Sequence, residues 1–396
     1  MRKKTVRDID AKGKRVMVRC DFNVPLDKQG RITDETRIEF SLPTIRYLMQ
    51  QGAKVILTSH LGRPKGAVAE SMRLDPVARS LSGYLKIPVP KLNDCIGPEV
   101  EAFIGNMKPG DVVLLENTRF HAGEEKNDPD FSRALAGLAD VFVMDGFGSA
   151  HRKHSSAYGV AEYIPGVAGL LMAEEIEKLG SLFEHIEHPM TMILGGAKID
   201  TKIGVIEKFV DKTDTFIIGG GLANTLLFAA GHEVGESLVE KDKADVARSL
   251  MKSIEVQGKR VLLPDDIIVS DTVDEHSETA NIPLRFIHPK LKILDIGWKT
   301  TEKASEVIRQ SRTIVWNGPM GVYEYGPFAR GTRMIAEETA RPPAKTILGG
   351  GDTVDALKNF DISFDQYTHV STGGGAMLEF LEFGSLPGVD ILQDAD

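Results

Sequence analysis

The sequence predicts an α/β protein with two doubly wound parallel-sheet (Rossmann-like) domains, which are joined by a long helix and leave a cleft between them. Short runs rich in Val, Ile and Leu alternate along the whole chain with segments of helical period. This alternation is the pattern of parallel strands connected by crossover helices. A segment of helical spacing between Pro165 and Pro189 separates these runs into two groups, which predicts two domains.

The candidate strands are apolar runs bounded by turn residues. In the first half of the chain they are residues 15–20, 54–58, 111–115 and 140–144. In the second half they are residues 190–194, 215–218, 260–263, 313–316, 345–348 and 367–370. Apolar residues at helical spacing over 170–187 predict the connecting helix. We therefore assign residues 1–170 to a first domain, 171–187 to the connecting helix and 188–387 to a second domain.

Composition limits the class of protein. The chain has 396 residues, of which 42% are apolar and 27% are charged, so it can form large cores and lacks the composition of a disordered protein. No run of 18 apolar residues and no apolar leader occurs, which argues against a membrane span or a secretory signal. The cysteines, Cys20 and Cys95, form no Cys-x-x-Cys pair and no zinc-finger spacing. We expect a cytoplasmic protein.

The distribution of charge predicts an anion site. The net charge of −9 argues against general binding of nucleic acid. Residues 1–65 nevertheless contain 15 Lys and Arg against 7 Asp and Glu, so the basic surplus lies in one region. A focused basic region on an acidic protein suits a small anion. The alternative is a solvated, lysine-rich surface.

Arginines follow the strands of the first domain. Ligands of open α/β sheets bind outside the carboxyl ends of the strands, and four loops at these ends each offer an arginine, namely Arg37, Arg63, Arg119 and Arg152. The planar guanidinium suits phosphate and carboxylate oxygens. A surface ion pair explains any one of them, whereas four equivalent positions predict a multiply charged anion. Four histidines nearby are weaker candidates, since each could be a neutral, hydrogen-bonded residue: His60, His121, His151 and His154.

Glycines occupy the equivalent positions in the second domain. Five strands run into glycine turns at residues 195–196, 219–221, 318, 349–351 and 373–375. Glycine lets the backbone approach a ligand, and helix N-termini bind phosphate, so this pattern predicts a nucleotide site. Lys198 and Lys202 are four residues apart, which predicts that they share one helix face towards the phosphates. Asp352 could hold Mg²⁺ or cap a helix.

Several enzyme classes lack their motifs in this chain. There is no P-loop motif, no Gly-x-Gly-x-x-Gly after a strand, no protein-kinase motif and no Gly-x-Ser-x-Gly elbow. A nicotinamide-dependent oxidoreductase would need that glycine fingerprint and an acidic residue about 20 residues later. A non-catalytic organic-phosphate-binding protein would have little use for Lys198, Asp352 and the glycine turns. The remaining interpretation is phosphoryl transfer between two polyanions.

Seven segments resemble the phosphoglycerate kinase family. They are residues 16–25, 59–64, 150–156, 195–198, 316–319, 349–353 and 371–375. The resemblance covers nearly the full chain and implies reversible transfer of the 1-phosphoryl group of 1,3-bisphosphoglycerate to Mg-ADP, giving 3-phosphoglycerate and ATP in glycolysis and gluconeogenesis. It also implies a monomer whose partners are these small molecules, with no nucleic acid and no membrane, and a C-terminal tail, 388–396, packed on the first domain.

The resemblance also implies roles for individual residues. Those implied to bind the phosphoglycerate substrate are Asp21, Asn23, Arg37, His60, Leu61, Gly62, Arg63, Arg119 and Arg152. Those implied to bind ADP or ATP are Lys202, Asn317, Glu324, Gly350, Gly351, Asp352 and Thr353, with Mg²⁺ held by Asp352. Those implied to act in catalysis are Arg37, Lys198, Gly373 and Gly374. Two residues depart from the family pattern near the adenine pocket, Ile293 where glycine is frequent and Trp298 where proline is common.

Overall fold

Two parallel sheets form the framework of the protein, which we describe from a computed structural model over residues 2–341 and 343–395. The first unit consists of residues up to Gly180 together with a returning segment that starts at Phe383, and the second unit is Ser181–Glu382. Each unit has its own hydrophobic core. Among the described residues, no helix is long and apolar enough to cross a membrane.

The first unit contains five parallel strands in the order β3-β2-β1-β4-β5. The strands are β1 Arg15–Arg19, β2 Lys54–Thr58, β3 Val112–Leu114, β4 Val141–Met144 and β5 Gly166–Ala168. The helices are α1 Thr36–Gln50, α2 Asp75–Leu85, α3 Pro98–Gly105 and α4 Pro129–Ala136. These strands are almost entirely buried, as expected for a parallel sheet. The strand order reverses between β1 and β4, which marks the place where an open α/β sheet binds its ligand.

A long helix, α5 Leu170–Glu184, leaves the first unit and enters the second. It ends three residues before the predicted boundary at residue 187. The buried carboxylate of Asp145, which follows β4, accepts hydrogen bonds from the backbone N–H groups of Leu171 (3.1 Å) and Met172 (3.4 Å). Burial raises the pKa of Asp145 to about 7, although these hydrogen bonds oppose the shift. Asp145 therefore caps the first turn of α5.

The second unit contains six parallel strands in the order β14-β13-β12-β6-β7-β8. These strands are β6 Met190–Leu194, β7 Thr215–Ile218, β8 Arg260–Leu262, β12 Thr313–Asn317, β13 Lys345–Gly349 and β14 His369–Ser371. The helices are α6 Asp200–Phe209, α7 Gly220–Ala229, α8 Ala244–Val256, α9 Trp298–Gln310, α10 Arg330–Thr339, α11 Gly351–Asn359 and α12 Gly374–Phe383. The strand order reverses between β6 and β12, as it does between β1 and β4.

A small antiparallel sheet in the second unit was not predicted. It consists of β9 Asp266–Ser270, β10 Ala280–Pro283 and β11 Lys292–Ile296 in the order β10-β9-β11. Strand β10 is mostly exposed and contains a single large apolar residue, Ile282, so it shows no apolar run. The three-residue strand β5 is buried, but it escaped prediction because Val167 is its one large apolar residue.

The C-terminal segment packs on the first unit. A short helix, α13 Pro387–Asp390, places the backbone N–H of Gly388 2.8 Å from the carbonyl oxygen of Ala150. The N–H of Gln393 donates to the carbonyl of Gly166 at 2.9 Å, and Leu392 is buried. The segment thereby contacts the loop after β4.

Candidate functional site

In the first unit, the last residue of β1 organises the loops around it. The guanidinium of Arg19 is fully buried and donates to Ser156 Oγ at 2.8 Å and to His60 Nδ1 at 3.0 Å. Since a guanidinium can only donate, His60 Nδ1 must accept, and the ring is neutral. Burial, reinforced by the charge of Arg19, lowers the pKa of His60 well below its usual value. Sequence reasoning missed Arg19, whose only signal was a charge at the end of an apolar run.

An acidic residue and an arginine form the next contact. Arg37 Nη1, on α1, lies 2.7 Å from Asp21 Oδ2, in the loop after β1. Burial would raise the pKa of Asp21, but the charge of Arg37 and its neighbours outweighs burial and lowers the pKa to about 2. Asp21 is therefore a carboxylate at neutral pH. Arg37 remains about one-third exposed, at 37%, so part of its guanidinium is open to a ligand.

Amide side chains join the loops after β1, β2 and β3. Asn23 Oδ1 accepts the N–H of Gly62 at 2.8 Å. Asn117, which sequence reasoning also missed, donates through Nδ2 to the carbonyl of Leu61 at 2.8 Å and accepts the N–H of Arg119 at 3.1 Å. The buried Arg119 in turn donates through Nη1 to the carbonyl of Gly62 at 2.8 Å. The three loops consequently form one connected structure.

The loop after β4 adds a further arginine and two histidines. Arg152 Nε donates to His151 Nε2 at 2.9 Å. Burial and then the charge of Arg152 lower the pKa of His151 to about 4. Burial and then the charges of Arg119, Arg19 and Arg152 lower the pKa of His154 to about 4. Burial is therefore the largest cause of the lowering of these histidine pKa values, and the positive potential of the arginines, which also suits an anion, adds to it.

Arg63 differs from the other arginines of this unit. It is exposed, and within the described part of the chain it makes no ion pair or hydrogen bond. Arg63 therefore lies outside the network of hydrogen bonds, to which Arg37 is joined by its ion pair with Asp21. The sequence-predicted residues within this network are Asp21, Asn23, His60, Leu61, Gly62 and Arg119.

In the second unit, backbone hydrogen bonds join the glycine turns. The N–H of Gly195 donates to the carbonyl of Asn317 at 3.0 Å, and the N–H of Gly196 donates to the carbonyl of Pro319 at 3.0 Å. A β-carbon on Gly195 would lie only 2.0 Å from the oxygen of Pro319. Glycine at this position is required for packing of the two turns on each other.

Glycine has a different explanation at the start of α11. A β-carbon on Gly351 would meet no atom within 4 Å, and the backbone there is not left-handed. Neither packing nor backbone strain therefore requires glycine at this position. The lack of a side chain at Gly351 leaves open space in front of the N-terminus of α11. A β-carbon on Gly374, the first residue of α12, would lie 3.0 Å from Gly350 Cα. The N-termini of α11 and α12 are thus adjacent.

A buried lysine lies beside these turns. Lys202 is 6% exposed, and its Nζ donates to Asn317 Oδ1. Asn317 in turn donates through Nδ2 to the carbonyl of Gly349 at 2.8 Å, and Thr353 Oγ1 accepts the N–H of Gly318 at 2.8 Å. Burial lowers the pKa of Lys202 to about 8, an effect that the charge of Asp352 opposes. Within the residues described, Lys202 has no carboxylate at ion-pair distance, so its charge is available to a phosphate.

The prediction that Lys198 and Lys202 share a helix face is wrong. Helix α6 begins at Asp200, after Ile199, which leaves Lys198 outside the helix. Lys198 is exposed, whereas Lys202 is buried. The helical spacing rule does not apply across a helix start, because the residues before it do not follow the 3.6-residue period.

A model of one protein family, described as phosphoglycerate kinase, matches residues 6–383. The chain belongs to this family. It is 54% identical over 398 residues to the phosphoglycerate kinase of Dictyoglomus turgidum and 52% identical over 394 residues to that of Pelotomaculum thermopropionicum, in each case over 100% of both chains. Among solved structures, it is similar to the phosphoglycerate kinases of Coxiella burnetii (TM-score 0.86, 39% identity) and Pyrococcus horikoshii (TM-score 0.87, 33% identity), over 98% of both chains.

Membership of the phosphoglycerate kinase family establishes the reaction. The enzyme is a phosphotransferase of glycolysis that transfers the 1-phosphoryl group of 1,3-bisphosphoglycerate to ADP in a reversible, Mg²⁺-dependent step. Its small-molecule substrates are phosphoglycerates and ADP or ATP. The nicotinamide and non-catalytic alternatives are thereby eliminated.

The second unit contains a cavity of about 690 Å³. Gly196, Glu324 and Asp352 line it, together with an apolar wall that sequence reasoning missed, formed by Leu238, Leu294, Val273 and Val322. Ligand pockets commonly have this size and this mixture of apolar wall and few polar groups.

Only one of the two departures from the family pattern reaches this cavity. Ile293 lines it. Trp298 is the first residue of α9, is 56% exposed and has the guanidinium of Arg330 5.2 Å from the centre of its ring. Of the two departures, Ile293 is therefore the one that lines the cavity.

Proposed function

We propose that the first unit binds 3-phosphoglycerate and 1,3-bisphosphoglycerate, and that the second unit binds ADP and ATP with Mg²⁺. One observation carries this division. The first unit concentrates arginines around buried histidines, whose pKa values are lowered by burial and then by the arginine charges. The second places glycine turns, with open space at Gly351, beside a buried lysine that has no paired carboxylate among the described residues. The first arrangement suits a small organic phosphate, and the second suits the phosphate chain of a nucleotide.

In the first unit, we assign the glycerate moiety to the loop that contains Asp21 and Asn23. We assign the 3-phosphate to the remaining site residues of the first unit, which are His60, Leu61, Gly62, Arg63, Arg119 and Arg152. We call the residues that bind one substrate within one unit a half-site. Arg19 is a positioning residue in this scheme, because its guanidinium is fully buried and fixes His60 and Ser156.

In the second unit, we assign the phosphates to the turn at Gly350 and to the open space at Gly351, where a β-carbon would meet no atom within 4 Å. Lys202, oriented by Asn317, neutralises their charge. Thr353 fixes the turn at Gly318. Asp352 is exposed at the cavity wall, and its carboxylate is a suitable Mg²⁺ ligand. Glu324, exposed on the same wall, is assigned to the ribose hydroxyls, and the apolar wall at Leu238 to the base.

The transfer step itself requires positioning and charge stabilisation. Phosphoryl transfer passes through a loose, in-line transition state, so no covalent nucleophile is needed. The attacking phosphate or carboxylate oxygen is already ionised near neutral pH, and no general base is required. We assign stabilisation of the transferring group to Arg37, Lys198 and the backbone N–H groups at Gly373 and Gly374, at the start of α12.

Hydrogen–deuterium exchange on the full chain tests this division. Addition of 3-phosphoglycerate alone should slow exchange in segments 21–25, 59–63, 117–121 and 148–154. Addition of Mg-ADP alone should slow exchange in segments 195–202, 219–224, 317–324 and 350–354. Protection of the second set by 3-phosphoglycerate, or of the first set by Mg-ADP, would overturn the assignment.

We propose further that the enzyme acts as a monomer in the cytoplasm. Both cysteines are free and buried, which suits a reducing compartment. Sedimentation equilibrium over a hundredfold range of concentration should give a single mass near 43.3 kDa, and a concentration-dependent mass would contradict a monomer.

A further inference from the structure

Three metal-ligating side chains meet in the first unit outside the half-site described above. Asp94, Cys95 and His121 each offer one ligand atom, and these atoms all lie within 4.8 Å of one another. Asp94 is exposed, His121 is partly exposed and Cys95 is buried. The cluster joins the loop before α3 to the loop after β3.

The geometry of the cluster is well defined. His121 Nε2 lies 2.6 Å from Asp94 Oδ1, which also accepts the N–H of Cys95 at 2.6 Å. The imidazole ring stacks on Phe131 with centroids 4.7 Å apart and planes 19° from parallel. Its orientation is therefore set by a neighbouring ring as well as by the hydrogen bond, so that Nε2 stays directed towards the other two ligands.

A nitrogen, a thiolate and a carboxylate are ligands that Zn²⁺ accepts, whereas Mg²⁺ requires oxygen ligands. Tetrahedral ligands at about 2.0–2.1 Å from zinc stand about 3.3 Å apart. The imidazole and carboxylate would thus separate by about 0.7 Å to admit the ion. The exposure of Asp94 and His121 leaves the fourth position open to water.

We propose that Asp94, Cys95 and His121 form a binding site for Zn²⁺ or a similar thiophilic divalent cation. On binding, the Cys95 thiol loses its proton to solvent and its sulfur bonds the metal. The hydrogen between His121 and Asp94 leaves to solvent or moves to Nδ1, which frees Nε2 and Oδ1 for the metal. No electron transfer is involved. Sequence patterns could not reveal this cluster, since Cys95 and His121 are 26 positions apart and match no zinc motif.

A bound metal would also affect the structure around the cluster. His121 follows the turn Thr118–Phe120 that contains Arg119, and its N–H donates to the carbonyl of Thr118 at 3.1 Å. A bound metal would cross-link this turn to the loop at Asp94 and stabilise the folded first unit.

Titration of the full-length, metal-free enzyme with Co²⁺, in buffer containing Mg²⁺, tests the proposal. We expect one equivalent to give the visible bands of tetrahedral cobalt and a sulfur-to-cobalt charge-transfer band in the near ultraviolet. Cys95→Ser should abolish the charge-transfer band, and His121→Gln should weaken Co²⁺ and Zn²⁺ binding roughly 10-fold or more. His276→Gln, which removes an exposed histidine of the second unit, is the matched control and should bind normally.

The metal-dependent rise in melting temperature provides a readout independent of cobalt. One equivalent of Zn²⁺ should raise the melting temperature of the parent and of His276→Gln, but not that of His121→Gln. Because His121 is at the surface, this variant keeps the test usable if Cys95→Ser fails to fold. Absence of the charge-transfer band from the parent, or its persistence in Cys95→Ser, would overturn the proposal, as would an equal thermal shift in His121→Gln.

Discussion

The half-sites of the two units solve the same problem, holding phosphate, by different means. In the first unit, the charge is in side chains that bind one another, as Arg19 binds His60 and Arg119 binds the turn at Gly62. In the second, the turns are joined through backbone hydrogen bonds, and the buried Lys202 supplies positive charge. Charge is thus preorganised in the side chains of the first half-site, whereas the second presents open space at Gly351 in front of a helix N-terminus.

The largest effect that would test this comparison is expected at Arg37. We expect the Arg37 guanidinium to contact the transferring phosphoryl group only when the donor and acceptor oxygens are in line. Arg37→Ala should therefore lower kcat by roughly 10² to 10³. The affinity for each substrate alone should change by no more than a few-fold. Steady-state kinetics and calorimetry measure the two quantities. Arg31→Ala, which breaks another 2.7 Å Arg–Asp pair on the surface, is the control and should leave kcat unchanged. A normal kcat for Arg37→Ala would remove it from the transition state.

Arg63 offers the next largest effect and separates binding from stability. Within the described residues, Arg63 makes no hydrogen bond or ion pair, so Arg63→Ala should leave the melting temperature unchanged. The loss of a charge-assisted contact should weaken 3-phosphoglycerate binding by roughly 1.5–3 kcal/mol. Arg248→Ala, an exposed arginine of the second unit, is the control. Unchanged affinity in Arg63→Ala, measured by calorimetry, would place Arg63 outside the site.

A pair of glycine substitutions sharpens the distinction between packing and open space. Gly195→Ala would force its methyl group onto the oxygen of Pro319 and should destabilise the second unit by roughly 1–3 kcal/mol. Gly351→Ala meets no atom and should leave stability unchanged or slightly higher. It should instead weaken ADP binding, since its methyl group occupies the proposed phosphate space. Denaturant unfolding and calorimetry should show these opposite profiles, and a destabilised Gly351→Ala with normal ADP affinity would refute the distinction.

The sequence predicted the large sheets because their strands are continuous apolar runs, as in β2 at residues 54–58 and β6 at residues 190–194. It also predicted the glycine turns, because glycine after a strand is visible locally. The role of Arg19 could not be predicted, since its partner Ser156 lies 137 positions away. Nor could the start of α6 at Asp200, which leaves Lys198 outside the helix, because sequence patterns locate helix ends only to within a few residues.

A smaller effect is expected from the titration of Lys202, whose pKa is lowered to about 8 by burial. Below pH 8 the lysine is mostly charged in the free enzyme, so ADP affinity should fall by less than about twofold between pH 7.5 and 8. Above pH 8, binding requires uptake of a proton, so affinity should fall by a factor approaching about tenfold per pH unit. Lys202→Gln should bind more weakly with a flat profile in calorimetry from pH 7.5 to 9.5. An equally steep profile in that variant would assign the titration to another group.

If the two half-sites bind different substrates independently, calorimetry of two full-length variants should separate the two binding reactions. Arg152→Ala should weaken 3-phosphoglycerate binding roughly 10-fold or more and leave Mg-ADP binding within about twofold. Lys202→Gln should weaken Mg-ADP binding by a similar factor and leave 3-phosphoglycerate binding within about twofold. If either variant lost affinity for the other unit's substrate, or lost both equally while remaining folded, the division between the units would be wrong.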